Sequence, residues 1–454
     1  MFNDTIIAIS TPLGFGGLGI VRLSGGQALT LALNLFRPKK TGKIPVRKPV
    51  FGNLYDFKKG ESFDEGYLIH FPGPHSYTRE DVVEITCHGS PVLLEEIIRL
   101  GVKAGARLAH PGEFTLRAYL NGRIDILQAE AVNDLIQASS LQGAKLSFRH
   151  MEGGLSRHIS GLRSRLIELL AEVEARIEFP DEEFRIPAGW IVKSLSGLAG
   201  DIRKLIAGYD TARLLTEGVS VAIVGRANVG KSTLFNALLE DERAIVSPLP
   251  GTTRDYLMEK IKVGDTYFKL IDMAGMGRTI HPVEEEGIRR GHKLAVRAGG
   301  ILLVLDSSRQ EKAEDLALIE RFKRKKAILV FNKADLPRKI DDKKIKRLAD
   351  LWPSLEVSAL EKTNIDRLRT MIYRRFVPRL KSGEEMIIHL REKSALEEML
   401  ESVEAGLSLF RRGYSDEIWA EEIRKTLPLF GRLTGEIRAD DVIAEIFSKF
   451  CLGK

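Results

Sequence analysis

The clearest chemical motif in the sequence is GRANVGKS, residues 225–232. It fits the pattern G-x-x-x-x-G-K-[ST], whose glycines let main-chain N–H groups surround phosphate oxygens. In such a loop the lysine, here Lys231, reaches the β- and γ-phosphates, and the Ser232 hydroxyl binds Mg²⁺. The motif predicts phosphate contacts from the loop and from the helix that follows it: Asn228, Val229, Gly230, Lys231, Ser232 and Thr233.

Three later motifs complete the prediction of a guanine nucleotide site, and the last two of them concern the base. Asp272-Met273-Ala274-Gly275 fits D-x-x-G, which holds Mg²⁺ through water and meets the γ-phosphate with a glycine N–H. In Asn332-Lys333-Ala334-Asp335, the carboxylate of Asp335 can accept from guanine N1–H and from the exocyclic amine, a pairing that adenine cannot make. A main-chain N–H of Ser358-Ala359-Leu360 can meet guanine O6. Each motif alone is also typical of a surface turn, but the four in this order predict a guanine nucleotide site.

The residue that orients the attacking water does not stand at its usual place. In Ras-like proteins a glutamine directly after D-x-x-G has this role. Met276 occupies that position here, and a thioether is too weak a hydrogen-bonding group to orient water. Another residue must therefore orient the attacking water.

A parallel sheet must position these motifs, because each follows a predicted strand. The predicted strands alternate with helical segments, and they are Val219–Val224, Tyr267–Ile271, Gly300–Asp306 and Ala327–Phe331. This alternation predicts βαβ units with the motifs at the carboxyl edge of the sheet.

Long amphipathic helices are predicted on both sides of this sheet in the sequence. Apolar residues recur at three- and four-residue spacing in a charged background, as at Leu162, Leu166, Leu169, Val173 and Ile177. Such a period is typical of helices that bury one face. The pattern runs from about residue 115 to 215 and returns from about residue 384.

The first 118 residues have a different pattern, which predicts a small α/β domain. β-Branched runs at 5–9, 19–23 and 81–86 predict strands, the glycines at 14–17 predict a turn, and 91–104 predicts a helix. We therefore predict a multidomain chain with an α/β domain, an all-α helical domain in two pieces, and an inserted P-loop α/β domain. The corresponding ranges are 1–118, then 119–217 with 379–454, and 218–378.

Composition excludes several classes of protein. Two cysteines in 454 residues exclude a disulfide scaffold and a four-cysteine zinc site. No apolar stretch reaches the 18 or so residues that span a bilayer, and the N-terminus lacks a basic region before its short apolar run, so neither a membrane span nor a signal peptide is expected. We expect a cytoplasmic protein. The formal net charge of +7 is only weak support for a polyanionic partner.

Asn228 in the phosphate loop, together with residues 251–255 (GTTRD), resembles the potassium-dependent, Ras-like G domain of the MnmE (TrmE) family of tRNA modification GTPases. The resemblance covers the whole chain. It extends to the segments DTIIA at 4–8, GGLGIVRLSG at 16–25, SYTREDVVE at 76–84, PGEFT at 111–115, NGRID at 121–125, QAEA at 128–131 and FCLGK at 450–454.

The resemblance implies how the G domain binds its ions. Asn228 would ligate K⁺ together with Ser247, Leu249 and Thr252, and Thr253 would join Ser232 at Mg²⁺. A monovalent cation between the β- and γ-phosphates neutralises the charge of the transition state, as an arginine finger does. The implied nucleotide contacts before the second strand are Ser247, Pro248, Leu249, Pro250, Gly251, Thr252 and Thr253. By residue type alone, Asn228 is a loop asparagine that tolerates an unusual backbone angle.

The resemblance also implies that Glu284 orients the attacking water. A carboxylate would act through a second water, since direct contact with the γ-phosphate is repulsive. By charge alone, three consecutive glutamates at 284–286 are typical of a solvated first helical turn. The segment departs from the family at four positions, namely Met273, Gly277, Glu285 and Glu286.

For the N-terminal domain the resemblance implies a folate site. The cofactor would be a tetrahydrofolate derivative, 5,10-methylene or 5-formyl, which supplies a one-carbon unit and is contacted by Arg22, Glu84, Arg123 and Lys454. Read singly, each of these residues is typical of a surface ion pair. Cys451 is either a reactive thiol near the folate or a small apolar residue that packs the last helix. Cys87, in a predicted strand, is expected in the core.

The activity that the resemblance implies is GTP hydrolysis coupled to modification of tRNA wobble uridine at C5. The chain would form a homodimer whose G domains approach each other with GTP and K⁺, and it would work with the FAD-containing partner MnmG (GidA) in a hetero-oligomer. FAD is expected on the partner only, because the chain has no G-x-G-x-x-G that follows a strand and is itself followed by an acidic residue at dinucleotide spacing. Two alternatives remain: a regulatory GTP switch such as a ribosome-assembly factor, and a transport or motor ATPase, which the guanine motif disfavours.

Overall fold

The computed structural model describes most of the chain. The described residues are 4–178, 187–239, 258–272, 296, 298–341, 343, 345, 347, 352–378, 385–436, 443, 446–450 and 453. They divide into two compact units: the first comprises 1–133, 149–200 and 394–454, and the second comprises 134–148 and 201–393. The three-domain boundaries drawn from the sequence stay a prediction.

A seven-stranded sheet organises the N-terminal part of the first unit. Its strands are β1 (Ile6–Ile9), β2 (Gly16–Ser24), β3 (Phe36–Pro38), β4 (Val50–Asp56), β5 (Glu61–Phe71), β6 (Val82–Gly89) and β7 (Arg107–Leu108), with helices α1 (Ala28–Leu35), α2 (Pro91–Ala104) and α3 (Glu113–Leu120). The strand order is β3-β4-β5-β6-β2-β1-β7, and neighbours are antiparallel except β1 and β7. Leu31 of α1 and Leu94 and Ile97 of α2 join the buried core over this sheet.

The N-terminal α/β prediction is confirmed in type but incomplete in its elements. Helix α2 has the predicted bounds. Gly16 and Gly17, predicted as part of a turn, already belong to β2, and a register irregularity between Gly16 and Gly19 accommodates them. The prediction missed α1 because its sequence, ALTLALNL, is apolar almost throughout and shows little of the helical period.

Four helices follow: α4 (Ile126–Gln137), α5 (Leu141–Met151), α6 (Gly154–Glu178) and α7 (Ala188–Glu217). Helix α6 confirms the amphipathic pattern, since it buries one face made of Leu155, Ile159, Leu162, Leu166, Leu169, Leu170 and Val173. The remaining helices of the first unit are α11 (Leu390–Arg411, whose first residues fall in the second unit), α12 (Asp416–Arg424) and α13 (Leu427–Thr434), and α12 and α13 pack on α6. Between α7 and α11 the chain forms the second sheet.

The second sheet has six strands in the order β13-β12-β11-β8-β10-β9. Its elements are β8 (Val219–Val224), α8 (Lys231–Leu239), β9 (Met258–Val263), β10 (Thr266–Asp272), β11 (Gly300–Asp306), α9 (Ala313–Phe322), β12 (Ala327–Asn332), β13 (Ser354–Glu356) and α10 (Ile365–Phe376). Alternate residues of β11 enter different cores: Leu302 and Val304 pack with α8 and α10, whereas Leu303 and Leu305 pack with α9. Helices therefore cover both faces of the sheet.

The parallel sheet predicted from the βαβ pattern is confirmed for β8, β10, β11 and β12, and β13 extends it by pairing parallel with β12. At the edge, β9 pairs antiparallel with β10 through a short turn, a hairpin that the prediction did not include. Among the helices that the structure describes, none combines the length and the apolar character needed to cross a bilayer.

Candidate functional site

The phosphate loop, 225–232, joins the carboxyl end of β8 to the first turn of α8. Its backbone is left-handed at Asn228, with φ of 63°, and at Gly230, with φ of 92°. A Cβ at position 230 would lie 2.3 Å from Asn332 Nδ2, so the close approach of the guanine motif requires glycine there. The loop leads into a helix N-terminus, whose N–H groups and dipole favour an anion.

Lys231 lies folded into this loop. Its side chain is mostly buried, and Nζ donates to the main-chain carbonyl of Arg226 at 2.6 Å. The ammonium group is therefore already at the phosphate loop. Ser232 is half-buried beside it, and Thr233 is exposed.

Asn332 connects the guanine motif to both of the other described motifs. This buried residue ends β12, and its Nδ2 donates to the Val229 carbonyl at 2.9 Å. Its Oδ1 accepts from the N–H of Ala359 at 3.0 Å. One amide side chain thus fixes the phosphate loop and the segment predicted to meet guanine O6.

Lys333 makes a second connection to the phosphate loop. Its Nζ donates to the Asn228 carbonyl at 3.0 Å and to Asp306 Oδ2 at 2.7 Å. Asp306 is buried at the end of β11. Burial alone would raise the pKa of this carboxyl, but hydrogen bonds from Lys333 and Ser308 outweigh it and hold the pKa below its usual value.

Two residues predicted to recognise the base come together from different loops: Asp335 follows β12, and Ser358 follows β13. Ser358 Oγ donates to Asp335 Oδ1 at 2.5 Å, which holds the carboxylate in a fixed orientation. Ser358 and Ala359 are buried, whereas Leu360 is exposed. The structure therefore brings together three of the four predicted motifs around one edge of the sheet.

Asp306 is a site residue that the sequence analysis missed. A single aspartate after an apolar strand fits no motif. The available signal was its position, because a charged residue that ends a fully buried parallel strand lies at the edge where ligands bind.

Several predicted site residues lie outside the described part of the chain. For Asp272 the structure describes the strand backbone but not the side chain. The others outside the described residues are Ser247, Pro248, Leu249, Pro250, Gly251, Thr252, Thr253, Met273, Ala274, Gly275, Met276, Gly277, Glu284, Glu285, Glu286, Cys451 and Lys454. Their assigned roles stay predictions.

Of the three described folate candidates, Arg22 and Arg123 lie against Tyr77, and Glu84 joins them through Arg22. Arg22 of β2 faces Glu84 of β6 across the strand pair, and its Nε and Nη2 both donate to Glu84 Oε1, at 2.9 and 2.7 Å. The Arg22 guanidinium lies 5.7 Å from the Tyr77 ring centroid. Arg123 covers the same ring at 4.7 Å, and its Nη1 donates to the Tyr77 carbonyl at 3.0 Å. Arg22 and Glu84 thus form an ion pair, as expected from their residue types alone. They also belong to a cluster that contains an aromatic ring.

A buried charge network supports this cluster. Arg117 of α3 is fully buried and donates to Asp4, Glu80 and Glu113. Burial raises the pKa of Glu113, but hydrogen bonds from Arg107, from the His110 N–H and from Arg117 outweigh it and leave the pKa below its usual value. The network ties α3 to the segment that carries Tyr77, and no motif in the sequence signalled it.

Cys87 is buried in β6, as predicted. Burial, aided by the charge of Asp64, raises the pKa of its thiol to about 12. A thiol of that kind stays protonated at neutral pH and is a poor nucleophile.

Comparison with known proteins places both ends of the chain in one family. Residues 5–123 match the family model described as the GTP-binding protein TrmE N-terminus, and residues 126–451 match the MnmE helical domain. The tRNA modification GTPase MnmE of Aquifex aeolicus (strain VF5) is 41% identical over 454 residues, covering 100% of each chain. The tRNA modification GTPase MnmE of Thermoanaerobacter sp. (strain X514) is 40% identical over 460 residues, again covering 100% of each.

Among solved structures, the G domain of the T. maritima FeoB iron transporter is 28% identical, and the match covers 35% of this chain and 98% of that chain. Its TM-score of 0.27 is too low to bear on the family assignment. The two family models and the full-length relatives agree with the motifs described above. The chain belongs to the MnmE (TrmE) family of tRNA modification GTPases.

Proposed function

We propose that this protein is a potassium-stimulated GTPase that takes part in modifying the wobble uridine of certain tRNAs at C5. The observation that carries the proposal is the position of Asn332, which holds the phosphate loop through Val229 and the guanine loop through Ala359. A site with these two linked halves is built to bind a phosphate chain and a guanine at a fixed separation.

The residues present fit GTP and Mg²⁺. Because position 230 is a glycine, no side chain there covers the main-chain N–H groups of the loop. Lys231 lies at the same loop. In this proposal Lys231 moves its ammonium from the Arg226 carbonyl to the β- and γ-phosphates, and Ser232 with Thr253 binds Mg²⁺. Asp335, oriented by Ser358, selects guanine over adenine.

We assign potassium binding to Asn228, Ser247, Leu249 and Thr252, and water orientation to Glu284. Asn228 is exposed on the phosphate loop, and its side-chain amide oxygen is a group that can ligate a monovalent cation. When bound, K⁺ supplies positive charge where the transition state becomes more negative.

A test of the ion assignment compares GTP hydrolysis in potassium and in sodium. Hydrolysis should be faster in potassium by at least about tenfold, since one electrostatic contact to the transition state is worth that much or more. Asn228→Gly, which keeps the left-handed backbone accessible, should lose this dependence and retain GDP affinity. In the same assay Glu284→Ala should slow turnover at near wild-type GDP affinity.

Asn364 provides the matched control for this experiment. It is also a left-handed asparagine, with φ of 63°, but it lies at the N-terminus of α10, where its Nδ2 donates to the Glu356 carbonyl. Asn364→Gly should keep the potassium dependence. Equal rates of the wild-type protein in potassium and sodium would contradict the ion assignment.

In the N-terminal domain we propose that Arg22, Glu84, Arg123 and Lys454 bind a tetrahydrofolate derivative. The described residues fit such a ligand: a carboxylate can accept from pterin N–H groups, two cations can meet a glutamate tail, and Tyr77 offers an aromatic ring between Arg22 and Arg123. When bound, the folate supplies the one-carbon unit. The proposal includes Cys451 as a reactive thiol near the folate.

Assembly completes the proposal. The chain would form a homodimer in the cytoplasm, and GTP hydrolysis would drive a cycle in which the G domains approach and separate. The redox step would belong to the FAD of the partner protein MnmG (GidA). GDP and the modified tRNA leave at the end of the cycle.

A further inference from the structure

Arg226, the second residue of the phosphate loop, is held by a carboxylate on a different element. Its Nε donates to Asp315 Oδ1 at 2.7 Å. The Asp315 side chain is 3% exposed and that of Arg226 is 13% exposed. Water competes little for this pair, so it fixes the arginine more firmly than a surface ion pair would.

Asp315 is itself fixed from two sides. It lies in the first turn of α9, where the main-chain N–H of Lys312 donates to its Oδ2 at 3.0 Å. The N–H of Asp315 in turn donates to the Lys312 carbonyl at 3.0 Å. A carboxylate is favourable at this end of a helix, so the position of α9 determines where the arginine is held.

The carbonyl groups of the phosphate loop have separate supports. Those of Asn228 and Val229 accept from Lys333 and Asn332 of the guanine motif. The carbonyl of Arg226 accepts from Lys231, which must turn to the phosphates when a nucleotide binds. The start of the loop loses that contact at the moment when the loop must keep its shape, whereas the ion pair with Asp315 does not depend on Lys231.

We propose that Asp315 is a positioning residue for nucleotide binding, which acts through Arg226 to hold the first half of the phosphate loop when Lys231 engages the phosphates. The inference rests on the proposed function, in which this loop binds GTP. Asp315 touches no phosphate. Its effect is to fix the loop in its binding shape before the ligand arrives, which lowers the ordering cost of binding.

The test measures the full-length protein with fluorescently labelled GDP and with GTP hydrolysis. Asp315→Asn removes the charge and keeps an acceptor for the Lys312 N–H. It should raise the Kd for GDP and the KM for GTP about tenfold, the equivalent of one hydrogen bond to a charged group. The GDP dissociation rate should rise in parallel, while kcat changes by less than about twofold because the groups on the phosphates are intact.

Arg226→Met and the double variant test whether the two residues act as one unit. Arg226→Met should reproduce the loss, and the double variant should be no worse than the worse single variant. Arg226→Lys, which keeps the charge but not the guanidinium geometry, should recover part of the affinity. Glu320→Gln is the control, since it removes an ion pair with Lys323 from the same helix at an exposed position, and it should match the wild-type protein.

Three results would overturn the inference alone, and a fourth would overturn it together with the proposed function. GDP binding by Asp315→Asn at the wild-type Kd and dissociation rate would show that the loop does not need the pair. Additive losses in the double variant, or a fall in kcat with KM unchanged, would show that the residues act independently or only support the fold. If the wild-type protein itself binds no GDP, both the proposed function and this inference fail, whereas the other results leave the proposed function standing.

Discussion

At the scale of single residues, the charge balance of the nucleotide site depends on Asp306. Its carboxylate is buried and accepts from Lys333 Nζ, which also holds the Asn228 carbonyl of the phosphate loop. The hydrogen bonds that it accepts lower its pKa despite burial. A group with a lowered pKa in the folded state adds stability above its unfolded pKa, about 3.9, and that stability is lost as the pH falls through the folded pKa.

Replacing Asp306 by Asn should therefore have a pH-dependent cost. At pH 7 the variant should lose about 1–3 kcal/mol of local stability, because Lys333 loses its charged partner. The loss relative to the wild-type protein should shrink as the pH is lowered below about 4. Hydrogen exchange of the β11 and β12 amides measures it.

Asp366→Asn serves as the control for this prediction, because that carboxylate is 93% exposed. Its exchange rates should match those of the wild-type protein at each pH. A cost of Asp306→Asn that stays constant from pH 7 to pH 3 would show that the carboxylate charge is not what stabilises the site.

The sequence predicted site residues where chemistry fixes both type and spacing. Lys231, Asn332 and Asp335 stand in motifs that phosphate and guanine binding require, and the structure brings them to one edge of the sheet. Asp306 and Asp315 were not predicted, because each acts on another side chain across the fold. Such contacts join residues far apart in sequence, and no local pattern marks them.

At the scale of elements, the register of β2 and β6 creates the folate candidate cluster. Arg22 and Glu84 are directly opposite each other in this antiparallel pair, and the Arg22 guanidinium lies near the rings of Tyr77 and Phe114. A slip of one residue would turn either side chain to the other face of the sheet. The site therefore depends on the pairing of the two strands.

Glu84→Gln tests this cluster without changing its shape. The substitution removes the charge that pairs with Arg22 and that would accept from pterin N–H groups. The Kd for 5-formyltetrahydrofolate, measured by calorimetry, should rise about tenfold or more, as expected for a lost charge-assisted hydrogen bond. GTP hydrolysis by the same variant checks that the chain is folded.

Glu96→Gln is the matched control, since Glu96 forms its ion pair with Arg99 within α2 and not in the cluster. It should bind folate as the wild-type protein does. Equal folate affinity of Glu84→Gln and wild type would place the folate elsewhere.

Elements were predicted best where the hydrophobic period is unambiguous. Strands β8 and β11 and helix α2 have the predicted bounds, since each is a buried run or an amphipathic stretch of ordinary length. Helix α1 and the hairpin of β9 with β10 were missed. Helix α1 is too uniformly apolar to show a helical period. The hairpin is formed by pairing at the edge of the sheet, which the hydrophobic pattern of β9 does not indicate.

At the scale of the whole molecule, one chain carries a guanine nucleotide site and a folate candidate cluster. The first rests on the edge of a parallel sheet, and the second on an antiparallel sheet. Length and composition did not indicate either site. The motifs predicted the nucleotide site, and the folate site was implied only by resemblance, because no spacing of residues specifies a pterin.

The central claim is that this GTPase is needed for wobble-uridine modification. Mass spectrometry of tRNA nucleosides from a strain that lacks the gene measures this directly, with the strain complemented by the wild-type gene or by Lys231→Ala. We expect the C5 substituent of the wobble uridine to be absent from the deletion strain, restored by the wild-type gene, and not restored by Lys231→Ala, which cannot hold the phosphates. Intact modification in the deletion strain would contradict the account and favour a regulatory GTP switch.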